Sequence, residues 1–131
     1  MNRRAARETA FKLTYEMVIN GEYNADTRDE LLQDADGDSR DYIKTITDGI
    51  SEHREDLKAL IVKYAKGYEY ERIYKVDLAL LLLSCYELVY TDTPHAVVAN
   101  EAVEIAKQYS DVKSHAFING ILASVIKEVC G

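Results

Sequence analysis

The chain has 131 residues, 47% of them apolar, which is enough for one core and one domain of ordinary size. One proline and six glycines are too few for an all-β fold built on tight turns, and the two cysteines, Cys85 and Cys130, form no CxxC pair, which argues against a disulfide framework or a zinc site and for a reducing, cytoplasmic compartment. A net charge of -7 excludes a surface coated in positive charge, but the charge is unevenly spread: residues 1–20 sum to +2, residues 21–60 to -7 and residues 61–131 to -2. A basic end on an acidic body guides an anion to one place and repels it elsewhere.

Residues 3–19 predict a helix, with Ala6, Ala10, Leu13 and Met17 in one stripe and Gly21 as its stop. The basic opening, MNRRAARETAFKL, lacks the apolar run of a signal peptide. Residues 24–33 form a short second helix ending in Leu31 and Leu32. DADGDSRD (34–41) is acidic and turn-rich, and Ser39 is the expected N-cap of the segment that follows. Apolar residues then recur at Tyr42, Ile43, Ile46 and Ile50, and again at Leu57, Leu60, Ile61 and Tyr64. That pattern gives two helices, or one bent near Gly49 to Ser51, closed by Gly67.

YEYERIYK (68–75) is a connector or a short helical turn. Val76 to Tyr90 is apolar on nearly every side and predicts a buried central helix. Its longest apolar run, Leu78 to Leu83, is too short to span a bilayer, so no membrane association is expected. Thr93 is placed to cap the next helix with Pro94 in its first turn, and Val98, Ala102, Ile105 and Tyr109 face inward. After SDVK, Ser114 is the expected cap of a last helix striped by Phe117, Ile121, Val125 and Val129. The fold class is all-α, with six or seven helices.

Arg3 and Arg7 lie one turn apart on the first helix with Arg4 beside them. Cations at a helix N-terminus oppose the macrodipole, and a bound polyanion reverses that sign. Tyr15, two turns on, is suited to stacking on an unpaired base. The competing reading is a solvated basic helix end with Arg4 paired to Glu8. Four tyrosines fall within 64–74, at Tyr64, Tyr68, Tyr70 and Tyr74; they suit either a half-exposed binding surface or wedges at the core edge. His53, His95 and His115 have no carboxylate or cysteine at ligand spacing, and no nucleophile, Walker or Rossmann pattern occurs, so no catalytic residue, metal or cofactor is expected. Glu87, Glu101 and Glu104 read as helix-packing carboxylates. Gly120 inside the last helix predicts a close approach by another helix, with Asn100 and Asn119 hydrogen-bonding across it.

Three stretches, CYEL (85–88), TPHAVVANEAVEIAK (93–107) and SHAFINGIL (114–122), together with RRAARETAFKLTYE (3–16), resemble the NusB family in order and spacing. The resemblance implies a single domain, 1–131, of two packed antiparallel helical subdomains, about 1–67 and 68–131. It implies a transcription antitermination factor, not an enzyme, that binds single-stranded boxA RNA in nascent ribosomal RNA transcripts. NusE, the small-subunit ribosomal protein, is the implied protein partner, within the transcription elongation complex. The family's RNA contacts map onto Arg3, Arg4, Arg7, Tyr15 and Phe117, and onto Tyr64 to within one residue of register. The acidic residue that faces NusE maps onto Asp77. Leu78 and Leu82 stand where the family carries arginines, Ala96 where it often has lysine, and Ala123 where it has an acid. The lost positive charge favours an alternative, a helical scaffold of the same fold without RNA binding, and the added apolar surface suits a homodimer.

Overall fold

The computed structural model describes residues 1–130. Seven α-helices occur among them: α1 (Arg3–Asn20), α2 (Ala25–Gln33), α3 (Gly37–Glu52), α4 (Arg54–Tyr64), α5 (Lys75–Tyr90), α6 (His95–Tyr109) and α7 (Val112–Cys130), with a 3-10 turn at Tyr70–Arg72 between α4 and α5. The all-α expectation holds. The segment from 41 to 64 is two helices that part at His53, not one bent helix.

α5 is the axis of the molecule: α1, α3, α4, α6 and α7 all pack on it. Every residue from Val76 to Leu88 is buried, which is why the segment has no polar face in its sequence. Around it, α1 buries Ala6, Ala10, Leu13 and Met17, and α3 buries Ile43, Ile46 and Ile50.

Helix starts differ from expectation in a consistent way. Asp36 caps α3 by accepting the Ser39 N–H at 2.9 Å, and Asp111 accepts the Ser114 N–H at 3.0 Å at the start of α7. Ser39 and Ser114 therefore supply donors to caps three residues upstream, because a carboxylate is the stronger acceptor for an orphan N–H and also complements the dipole. The Asp36 carboxyl is held down at about 2 by the Ser39 N–H and by the N-terminal ammonium. Thr93 caps nothing; it accepts from the Thr91 hydroxyl, and the Pro94 carbonyl takes the first N–H groups of α6.

The close helix approach lies at Gly49, not at Gly120. The Tyr86 ring of α5 occupies the space a Cβ on Gly49 would need, whereas Gly120 is exposed with nothing within 4 Å of that position. Asn100 and Asn119 are likewise exposed, along the outer groove between α6 and α7.

Candidate nucleic-acid interface

The three arginines at the start of α1 have three different environments. Arg4 is exposed and makes a two-pronged ion pair with Glu101 of α6, at 3.0 and 2.9 Å. That bond raises the Arg4 guanidinium above its ordinary value. The anticipated Arg4–Glu8 pair is absent; Glu8 instead accepts the Tyr109 hydroxyl at 2.6 Å. Arg3 is half exposed, lies 4.1 Å from the centroid of the Tyr42 ring and reaches Asp38 at 3.1 Å.

Arg7 corrects the sequence expectation. It is 4% exposed, and its guanidinium grips Glu87 of α5 at 2.7 and 2.9 Å, while the Tyr42 hydroxyl donates to the same carboxylate at 2.9 Å. Burial pulls the Arg7 guanidinium down, but the Glu87 hydrogen bond and the Glu87 charge outweigh it, and the net shift is upward. Because α1 docks against both α3 and α5, its buried arc is wide enough to include position 7, which is closed to a phosphate.

A concavity of about 590 Å³ lies between the connector after α4 and the start of α7. Phe117 of α7 meets Tyr68 of the connector at 4.6 Å between centroids, with the rings tilted by 59°. Tyr74 and Tyr109 extend this aromatic wall, and Arg72 and Lys113 bring cations to the rim. Asp77 sits at the floor, 5% exposed, its two oxygens accepting the Ser110 and Ser114 hydroxyls at 3.2 and 3.0 Å. Burial raises the Asp77 carboxyl, against the pull of those two hydroxyls. Asp77 thus holds the α5 end of the cleft to α7 and does not present its carboxylate at an outer surface.

Tyr15 is half-buried and packs toward Phe11, whose ring lies 5.1 Å from Tyr109, so an aromatic run leads from α1 to the cleft. Tyr64 is elsewhere: its hydroxyl donates to Glu128 at 2.5 Å, alongside Lys63, and it does not line the cleft. The tyrosine that meets Phe117 is Tyr68, one helical turn on in sequence. Its signal was the density of tyrosines in 64–74; its position depends on a non-helical connector that periodicity does not resolve. From Glu101, which holds Arg4, to Tyr109 is eight residues of α6, about 12 Å. Phe117, Asp77 and Tyr109 are brought together, with Arg4 about that distance away along α6, whereas Arg3 lies beside Thr91 and Thr93 at the opposite end of α5 from Asp77. Among the described residues no group of three or more His, Cys, Asp or Glu is placed to hold a metal ion.

The NusB family model matches residues 4–127. The chain belongs to the NusB family. The transcription antitermination protein NusB of Ruminiclostridium cellulolyticum is 44% identical over 133 residues, covering 97% of this chain and 90% of that one. The protein of the same name from Acetivibrio thermocellus is 42% identical, again covering 97% and 90%. Among solved structures, NusB of T. maritima superposes with a TM-score of 0.87 at 29% identity, covering 98% of this chain and 92% of that one. A chain from a structure of the antitermination factors NusB and NusE in complex with double-stranded RNA gives 0.85 at 27% identity, covering 96% of each. NusB membership thus rests on nearly the whole length, including residues 20–75, between the stretches that carry the resemblance in the sequence.

Proposed function

We propose that this chain is a NusB-type transcription antitermination factor that binds boxA-type single-stranded RNA together with NusE, and acts without catalysis in the transcription elongation complex in the cytoplasm. The observation that carries the RNA-binding reading is the aromatic cleft at Phe117 and Tyr68, rimmed by Arg72 and Lys113 on a molecule that is otherwise acidic. Unpaired bases stack on such rings whatever their sequence. Arg3 is held by an exposed ion pair to Asp38, which a phosphate strand exchanges at little cost, and Arg4 is itself exposed although its partner Glu101 is largely buried. The names of the relatives, and the NusB–NusE–RNA assembly of a structural neighbour, support the partners.

The test is a gel shift with a boxA RNA and a scrambled control, with and without NusE. Phe117→Ala is expected to weaken boxA binding by about 1–3 kcal/mol, a loss of roughly 5- to 150-fold, with helicity unchanged. Equal affinity for boxA and the scrambled RNA in the presence of NusE, or full binding by Phe117→Ala, refutes the proposal.

A further inference from the structure

The connector that forms one wall of the aromatic cleft has a second hollow on its other side. Tyr70, Glu71 and Lys75 line it from the connector and the start of α5, and Arg54 and Lys58 line it from α4. Its apolar lining comes from Val18, Leu78 and Leu82. Its volume is about 160 Å³, the share of roughly five water molecules. Three cations therefore converge on a small hollow in a chain of net charge -7, against a single acid.

The cations are weakly engaged by the protein itself. Arg54 donates to the Gly21 carbonyl at 2.6 Å, and Lys75 to the Glu71 carbonyl at 3.3 Å. Lys58 lies 5.0 Å from the Tyr70 ring centroid and 4.0 Å from the largely exposed Glu71 carboxylate. Two backbone carbonyls and one loose ion pair leave most of the positive charge uncompensated. The two helices that line the hollow also begin at it, α4 at Arg54 and α5 at Lys75, and neither has a side-chain cap at that end. A cation in the first position of a helix opposes its dipole, and an anion beside both makes the two attractions add. The acids of those first turns, Glu55, Asp56 and Asp77, do not line the hollow. An apolar lining strengthens any charge interaction made against it.

We propose that the hollow ringed by Arg54, Lys58 and Lys75 is a phosphate-binding site. Its size suits one tetrahedral oxyanion with a few waters, and its three donors suit a phosphoryl group better than a flat carboxylate. The phosphate comes either from a nucleic-acid strand passing over the connector from the neighbouring cleft, or from a free phosphate compound. The assignment stands independently of the RNA-binding reading.

The experiment is an amide-shift titration of the full chain with inorganic phosphate, at ionic strength held constant with chloride. Saturable shifts are expected at Lys58, Tyr70 and Lys75. The Lys58→Gln/Lys75→Gln double variant, whose replaced side chains are solvent-accessible, should bind phosphate at least tenfold more weakly with unchanged circular dichroism; Lys75→Glu alone provides a second variant. An RNA oligonucleotide that moves the same amides and is displaced by phosphate identifies a strand as the source. RNA that leaves them unmoved while phosphate still saturates identifies a free phosphate compound. Absence of saturable shifts at these residues, or equal phosphate binding by folded variants, overturns the assignment.

Discussion

Arg7, Glu87 and Tyr42 form a charged cluster inside a core that is mostly aliphatic. Taking such a pair out of water is costly, and the two-pronged geometry with a third donor offsets much of that cost. Removing one partner is worse than never having the pair. Arg7→Ala should destabilise the fold by about 3–5 kcal/mol, read as a lower urea midpoint, because Glu87 is left buried and unpaired. Replacing all three together (Arg7→Met, Glu87→Leu, Tyr42→Phe) should recover most of that loss. An Arg7→Ala melt matching the parent would contradict the buried pair, and with it the separation of Arg7 from its exposed neighbours. In the sequence, positions 3, 4 and 7 are the same residue type on one helical turn. What separates them is a carboxylate 80 positions away, which helical spacing does not reach. The arginine cluster was legible; its division into one structural and two surface members was not. Asp77 turns inward because the hydroxyls of two serines at the α6–α7 corner donate to its carboxylate, a contact that helical spacing does not show.

Among the elements, helix positions followed from periodicity alone, and α5 from its lack of any polar face. Helix ends were less legible, because Asp-x-x-Ser offers two residues that both cap well in isolation. The glycines show a similar ambiguity. Gly49 and Gly120 both sit inside helices, and only the packing of α3 on α5 marks the first as indispensable. Gly49→Ala should cost about 1–3 kcal/mol by forcing the Tyr86 ring off its seat, measurable as a lower thermal midpoint. Gly120→Ala, in open space on an exposed helix face, should raise the midpoint instead, by removing the helix-interior cost of glycine. The reverse order of these two midpoints would show that the contact is not at Gly49.

For the molecule as a whole, the proposed RNA site rests on few cations in a chain of net charge -7. The cations proposed for the strand path, Arg3, Arg4, Arg72 and Lys113, number four, and three of them begin in ion pairs, with Asp38, Glu101 and Glu69. Each phosphate neutralised contributes about -0.7 to the salt slope for a single strand, so boxA binding should have a log–log slope no steeper than about -3. Filter binding across a salt series measures this directly, and a much steeper slope would place the RNA on a cationic surface other than this one. Sequence showed the polarity of the chain, basic at its start and acidic through residues 21–60, but not the hollow ringed by Arg54, Lys58 and Lys75, whose members are divided between two helices.

The bond between Arg7 and Glu87 also sets an order of events during synthesis. The first helix leaves the ribosome long before its counter-ion exists, and until residue 87 has emerged its guanidinium lacks the carboxylate that holds it in the folded chain. The beginning of this chain is therefore among the parts that must wait, and its docking marks the moment when the central helix is complete.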